Sequence, residues 1–122
     1  MKYYEVFVYG TLRKGGGNHH ILRGALCLKS SYWLSGYCLY DFQGWYPFML
    51  RGNERDQVLG EVYRVDEPTL VLLNQLEDVE HNLYRLVYLE GHAFYSYLKY
   101  DNNTEGLLKI TGGDWLAYSS TD

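Results

Sequence analysis

The stretch KYYEVFVYGTLRKGGGN, Lys2 to Asn18, decides the fold. Both faces of its first half, Lys2 to Tyr9, are apolar apart from Glu5, a pattern typical of a strand in the middle of a sheet. A loop from Gly10 to Asn18 follows. A glycine directly after a strand lets the backbone turn tightly and expose successive N–H groups, and such a concavity binds anions. The junction Tyr9-Gly10-Thr11-Leu12-Arg13 is therefore a candidate anion site, and the alternative is that Gly10 only forms a turn.

The rest of the chain alternates strand-like runs with turn residues. Asn18 is positioned to cap a short helix over His19 to Gly24. Further strands are predicted for Cys27–Leu34, Gly36–Phe42, Trp45–Arg51 and Val58–Val65, and Pro47 favours an edge or a bulge for the third of these. Leu83–Glu90 and Ala93–Tyr100 are predicted to form a hairpin across Gly91 and His92.

One clear helix is predicted after Asp66, which serves as its N-cap, and it covers Leu70 to Leu76. At 100° per residue, Leu70, Leu73 and Glu77 share one stripe. Glu77 should therefore point towards the interior, where lost solvation raises the pKa of a carboxyl group and suits it to general acid–base catalysis. The alternative is that Glu77 ends a fraying helix and turns into water.

About six or seven strands with one main helix predict an α+β domain built on a mixed, curved or closed sheet. Its length of 122 residues predicts a single domain over residues 1–122. Asp101 to Gly106 is predicted to be a polar hairpin tip. The segment Gly112 to Trp115 is predicted to lead into a short strand or helix.

Composition excludes several classes of function. The net charge of −4 disfavours nucleic acid and anionic membrane surfaces as partners. No run of about 18 apolar residues is present to span a membrane. The first ten residues lack the unbroken apolar run of a signal peptide, so we expect a cytoplasmic protein. The 14 tyrosines favour strands and a cavity lined by rings and hydroxyl groups.

Other chemically active residues form weaker patterns. His19 and His20 are adjacent, so in a helix they point about 100° apart and cannot share a metal ion. Cys27 and Cys38 lack CxxC spacing, and we expect them to be small buried apolar residues. Glu61 lies in a predicted strand and is a second candidate buried acid. The spacing of these residues therefore predicts no metal site.

Several stretches together resemble a known family. FVYGTLRKGGGNHH (Phe7 to His20), YPFML (Tyr46 to Leu50), GEVYRVD (Gly60 to Asp66), LVLLNQLE (Leu70 to Glu77), the Tyr84-Arg85 pair and GGDW (Gly112 to Trp115) occur in this order. They are similar to the signatures of the gamma-glutamylcyclotransferase-like family, and the resemblance spans nearly the whole chain.

The resemblance implies an α+β fold with a five-stranded closed barrel and a cavity at its mouth. It implies an enzyme of acyltransferase or lyase type that releases 5-oxoproline from a gamma-glutamyl amine or peptide. Since the histidine and cysteine spacing predicts no metal site, we expect this enzyme to need no metal ion or cofactor. Tyr9, Gly10, Thr11 and Leu12 fall on the family's substrate-binding loop, and Glu77 falls on its catalytic glutamate. The helical stripe selects Glu77 independently.

Two departures from the family pattern keep alternatives open. The family often has Leu-Asp-x-x-Glu-Gly, where this chain has Leu73-Asn74-Gln75-Leu76-Glu77-Asp78. The interval from Glu77 to Tyr84 is also about one residue longer than in the family pattern. The register of the helix acid could therefore be shifted, which makes Glu80 the alternative acid. A non-catalytic binding or regulatory domain of the same fold is the alternative function. Arg13 is expected to face solvent, and the oligomeric state is not predicted.

Overall fold

The strand predicted from the apolar stretch near the N-terminus, β1 (Tyr3–Val8), lies in the middle of a five-stranded sheet. The computed structural model describes residues 2–120. The other strands are β2 (Leu26–Ser35), β3 (Tyr37–Phe42), β4 (Tyr46–Arg51), β5 (Gln57–Asp66), β6 (Tyr84–Leu89), β7 (Phe94–Lys99) and β8 (Leu108–Ile110). The helices are α1 (Glu67–Leu76) and α2 (Trp115–Ser119), with short 3-10 helices at His19–Leu22 and Val79–His81.

The larger sheet is mixed, as predicted, with the strand order β2-β5-β1-β7-β6. β1 runs antiparallel to β5 and parallel to β7, and β6 and β7 form the predicted hairpin. The two faces of β1 serve different parts of the core. Val6 and Val8 belong to one apolar cluster, and Phe7 belongs to a second. Burial on both faces explains why this strand carries almost no polar side chain.

The predicted closed barrel is wrong for the part of the chain that the structure describes. β2 and β6 are the two ends of the five-stranded sheet, and β4, β3 and β8 form a separate three-stranded sheet in that order. Barrel closure would need ladder hydrogen bonds between the two edge strands. Instead, the smaller sheet packs Leu39 and Met49 into the same cluster as Phe7, so two layers rather than one closed wall enclose this core.

α1 begins and ends as its sequence indicates. The side chain of Asp66 caps it by accepting a hydrogen bond from the Thr69 N–H at 2.9 Å. Leu70 and Leu73 are its buried residues. Glu77 follows as the C-cap, and its N–H donates to the Leu73 carbonyl at 2.9 Å. The stripe of Leu70, Leu73 and Glu77 therefore continues onto the last turn of the helix.

Four details differ from the sequence-based expectations or refine them. β8 was not predicted, and it pairs antiparallel with β3. The tail forms a helix, α2, whose N-cap Asp114 accepts a hydrogen bond from the Ala117 N–H at 3.2 Å. Asn18 does not cap the following 3-10 helix through its side chain. Cys38 is buried as expected, but Cys27, on β2, is exposed.

Pro47 lies in β4, an edge strand of the smaller sheet, as its missing N–H favours. Within residues 2–120, neither helix is long and apolar enough to cross a membrane.

Candidate active site

A cavity lies where the loop after β1 meets the start of β4, the end of α1 and the strands β6 and β7. Its space amounts to about 340 Å³, including the part that opens to solvent. Its walls combine aromatic rings, backbone and one carboxyl group. They are formed by Phe7, Val8, Tyr9, Gly10, Thr11, Leu12, Tyr46, Pro47, Glu77, Tyr84 and Tyr97. All five residues selected from the sequence as site residues are among them.

Glu77 is the one ionisable carboxyl group among these lining residues. Burial raises its pKa from 4.5 to about 7, because the charged form loses solvation. Glu80, the alternative acid, is exposed on the 3-10 helix Val79–His81 and does not line the cavity. The geometry thus favours Glu77 over Glu80, and the catalytic role of Glu77 stays a prediction.

The structure accommodates the two residues near Glu77, Asn74 and Asp78, that differ from the family pattern. Asn74 accepts a hydrogen bond from the Tyr97 hydroxyl at 2.6 Å through its amide oxygen, an acceptor role that a carboxylate would also fill. Asp78 stands where the pattern that the chain resembles often has glycine, and its φ of +53° lies in the left-handed region that favours glycine. Aspartate is among the few non-glycine residues that visit this region routinely, although a residual cost remains.

Tyr9 and Tyr84, two of the tyrosines that line the cavity, bond to backbone through their hydroxyl groups. Tyr9 donates its hydroxyl hydrogen to the Tyr97 carbonyl at 2.6 Å, and Tyr84 donates to the Pro47 carbonyl at 2.5 Å. Burial, with the nearby Glu77 carboxylate as a further cause, raises the pKa of both hydroxyl groups well above the usual value. Both therefore stay protonated and bonded to backbone at neutral pH, which leaves Glu77 as the acid–base group.

Gly10, Thr11 and Leu12 line the cavity, and their backbone N–H groups are not used as donors elsewhere in the described chain. Among the hydrogen bonds of residues 2–120, none uses the N–H of Gly10, Thr11 or Leu12 as donor. The rest of the loop is internally bonded. Asn18 donates its backbone N–H to the Thr11 carbonyl at 2.9 Å and its side-chain amide to the Thr11 hydroxyl at 2.8 Å. Bonds within the loop thus hold its shape while these three amides remain without an acceptor among the described residues.

Arg13 does not face solvent, contrary to expectation. Its side chain is 11% exposed and forms ion pairs with Glu61 at 3.2 Å and with Asp114 at 2.9 Å. Glu61, the second candidate acid, also accepts hydrogen bonds from the Lys14 N–H and the Tyr63 hydroxyl. Glu61 is buried away from the cavity lining, so it anchors the loop rather than serving as a catalytic acid.

The histidines and cysteines lie outside the cavity lining. His19 contacts the loop after β1, with its Nδ1 2.9 Å from the Leu12 carbonyl oxygen, and His20 is exposed. In residues 2–120, no three His, Cys, Asp or Glu side chains come together as a metal site.

Sequence reasoning did not assign Tyr46, Pro47, Tyr84 or Tyr97 to the site, although the structure places all four on the cavity wall. Tyr46, Pro47 and Tyr84 lie in stretches that resemble the family, and the excess of tyrosine predicted an aromatic cavity. Neither signal identified which rings meet, because β4, β6 and β7 come together only through long-range packing.

Gly16 provides a test of the loop. A Cβ atom there would lie 2.2 Å from the Thr11 carbonyl oxygen, whereas a Cβ at Gly17 would contact nothing within 4 Å. Gly16→Ala is therefore expected to lower the free energy of unfolding by about 1–3 kcal/mol, a typical cost of overpacking. Gly17→Ala is the matched control and should change it little. Equal urea midpoints for the two variants would contradict the packing described here.

The raised pKa of Glu77 predicts a pH dependence of stability. Between pH 4.5 and about 7 the folded chain holds a proton at this group that the unfolded chain releases, so the free energy of unfolding falls as pH rises. The loss is up to about 3 kcal/mol and levels off above pH 7. Urea unfolding of the wild type and of Glu77→Gln at several pH values measures it. Parallel curves for the two proteins would refute the shift.

Comparisons with known proteins agree with this architecture. A family model described as "Gamma-glutamyl cyclotransferase, AIG2-like" matches residues 6–117. The chain is 37% identical over 112 residues to "Gamma-glutamylcyclotransferase family protein ytfP" of Citrobacter rodentium, which covers 92% of this chain and 95% of that protein.

Two solved structures share the fold. The crystal structure of the uncharacterized protein PH0828 from Pyrococcus horikoshii has a TM-score of 0.77 and 30% identity, and the match covers 94% of this chain and 92% of that chain. The solution structure of protein ytfP from Escherichia coli has a TM-score of 0.70 and 32% identity, over 95% and 99% of the two chains.

Proposed function

Because the chain belongs to the gamma-glutamyl cyclotransferase, AIG2-like family, we propose that it releases 5-oxoproline from a gamma-glutamyl amine or peptide. One observation carries the proposal. The carboxyl group with a pKa near 7, that of Glu77, lines the same cavity as the uncommitted amides of Gly10, Thr11 and Leu12. An acid–base group and a set of backbone donors are the two components that acyl transfer to an amine requires.

In the proposed reaction, the free α-amine of the substrate attacks its own γ-carbonyl carbon. A new C–N bond closes the five-membered lactam, and the C–N bond to the leaving amine breaks. Glu77 takes a proton from the attacking nitrogen and returns one to the leaving nitrogen, so no net proton is consumed. A carboxyl group with a pKa near 7 suits both directions of transfer at neutral pH.

The protein's second contribution is orientation. The reaction is intramolecular, and well-oriented cases reach effective molarities of about 10⁵–10⁸ M. The N–H groups of Gly10, Thr11 and Leu12 would hold the substrate carboxylate or the developing oxyanion. The rings of Tyr9 and Tyr84, fixed by their bonds to backbone, would confine the flexible glutamyl chain. The proposed chemistry assigns no step to a metal ion.

The test is incubation with a panel of gamma-glutamyl amines, amino acids and isopeptides, with 5-oxoproline measured by mass spectrometry. Release should persist in the presence of a chelator. Loss of release with chelator, restored by zinc or manganese, would refute the metal-independent mechanism. Calorimetric binding of the compounds without any 5-oxoproline would refute catalysis and support the alternative, a binding domain of the same fold.

A further inference from the structure

A second groove borders the cavity. The two spaces share Thr11, Tyr46, Glu77 and Tyr84. The outer groove has a space of about 430 Å³, including its open part, and is otherwise lined by Asn18, Trp45, Leu76 and Leu83. Since Glu77 lines both spaces, a substrate with its γ-carbonyl beside Glu77 and its glutamyl part in the cavity would place its leaving amine in this groove.

The outer groove offers no positive charge. Its lining, as described within residues 2–120, contains no Lys, Arg or His. The charge that acts on the lining is negative. Burial raises the pKa of the Tyr46 hydroxyl, and the nearby Asp78 carboxylate raises it further. Glu77 itself adds a second carboxyl group. A leaving group with its own carboxylate, such as an α-amino acid, would meet two acids and no cation there.

The groove instead offers rings and aliphatic side chains. Trp45 is 65% exposed, an unusual state for so large an apolar side chain. Trp45 lies at the end of the turn between β3 and β4, and hydrogen bonds to Asp41 hold this turn in place. The buried Asp41 accepts hydrogen bonds from the Gly44 N–H and from the Tyr118 hydroxyl, both at 2.8 Å. Trp45 also packs edge-on against Phe42, with 5.6 Å between ring centroids.

We propose that the outer groove selects gamma-glutamyl amides of arylalkylamines, with the aromatic ring of the leaving amine packed against Trp45 and the carboxylate of an amino acid excluded. The inference rests on the proposed function and specifies its substrate class. It follows from the lining residues that the two spaces share, the lack of a cation among the described lining residues of the groove, and the exposed indole of Trp45 on the turn between β3 and β4.

Three substrates separate the effect of the aromatic ring of the leaving amine from the effect of its carboxylate. Gamma-glutamyl-phenethylamide and gamma-glutamyl-phenylalanine have the same ring and differ only in one carboxylate, whereas gamma-glutamyl-methylamide has neither. The expected order of kcat/KM places the phenethylamide first, about tenfold or more above each of the other two. Calorimetric binding of the three compounds to Glu77→Gln should give the same order without turnover.

Variants at Trp45 test the same point. Trp45→Ala should lower the ratio of phenethylamide to methylamide turnover about tenfold. Trp33→Ala is the matched control, since Trp33 is also exposed, at 42%, but lies on β2 and does not line the groove. It should leave the ratio unchanged. Trp45→Lys should raise the use of gamma-glutamyl-phenylalanine relative to the phenethylamide.

The outcomes distinguish the two proposals. If 5-oxoproline is released but gamma-glutamyl-phenylalanine equals or exceeds the phenethylamide, the arylalkylamine inference is overturned and the cyclotransferase proposal stands. A ratio that responds equally to Trp45→Ala and Trp33→Ala also overturns the inference. If none of the three compounds, nor any of the wider panel, yields 5-oxoproline, the proposed function fails and the inference fails with it.

Discussion

Replacing Glu77 by Gln is expected to lower kcat for 5-oxoproline release by at least about 10²-fold, the lower end for loss of a general acid–base group. The amide keeps the shape of the side chain but can neither accept the proton of the attacking amine nor return one. The protein should still fold, since Gln removes a carboxyl group whose ionisation burial disfavours. Single-turnover mass spectrometry with the wild type alongside measures the loss.

The control for this substitution is Glu80→Gln, three residues along the chain. Glu80 is exposed and does not line the cavity, so its variant should retain turnover within about twofold, as expected for a surface change. If Glu80→Gln rather than Glu77→Gln removes turnover, the assignment of the acid is wrong. A fully active Glu77→Gln protein would reject the mechanism itself.

The features that local patterns predicted are those with a local cause. β1 could be predicted because burial on both faces leaves an almost wholly apolar strand. α1 could be predicted because Asp66 supplies its cap within three residues of the N–H that it bonds. The position of Glu77 follows from the same helix, since a stripe that buries Leu70 and Leu73 carries the next side chain on that stripe inward.

The features that escaped prediction depend on partners far away in sequence. β8 is only three residues long, and its ladder to β3 joins segments about seventy residues apart. Whether the sheet closes into a barrel depends on which edges pair, which no local pattern encodes. The tyrosine count predicted an aromatic cavity, but the hydroxyl partners of Tyr9 and Tyr84 are backbone carbonyls on other strands.

Arg13 is the clearest example of a residue whose contacts depend on distant partners. A loop arginine beside glycines is typical of a solvated position, so its sequence context predicts exposure. Its partners Glu61 and Asp114 lie 48 and 101 residues away in sequence. One guanidinium thus joins the candidate binding loop to β5 and to the cap of α2. The interaction is recognisable only when the sheet and the C-terminal helix are both in place.

Arg13→Ala is accordingly expected to lower the free energy of unfolding by about 3–5 kcal/mol, the cost of removing one partner from a buried ion pair. The side chain of Glu61 is 5% exposed, so its charge would be left without a cation in a poorly solvated site. Urea unfolding measures the loss. A decrease below about 1 kcal/mol, the range of a surface salt bridge, would contradict the anchoring role.

A second substitution separates the loss of charge balance from the loss of packing. If the unpaired Glu61 carboxylate causes the instability, Glu61→Gln in the Arg13→Ala background should recover part of it, because the neutral amide still bonds the Lys14 N–H and the Tyr63 hydroxyl. Asp114→Asn, at a side chain 28% exposed, is the matched comparison and should cost less than Arg13→Ala. No recovery by Glu61→Gln would mean that Arg13 anchors the loop through packing rather than through charge.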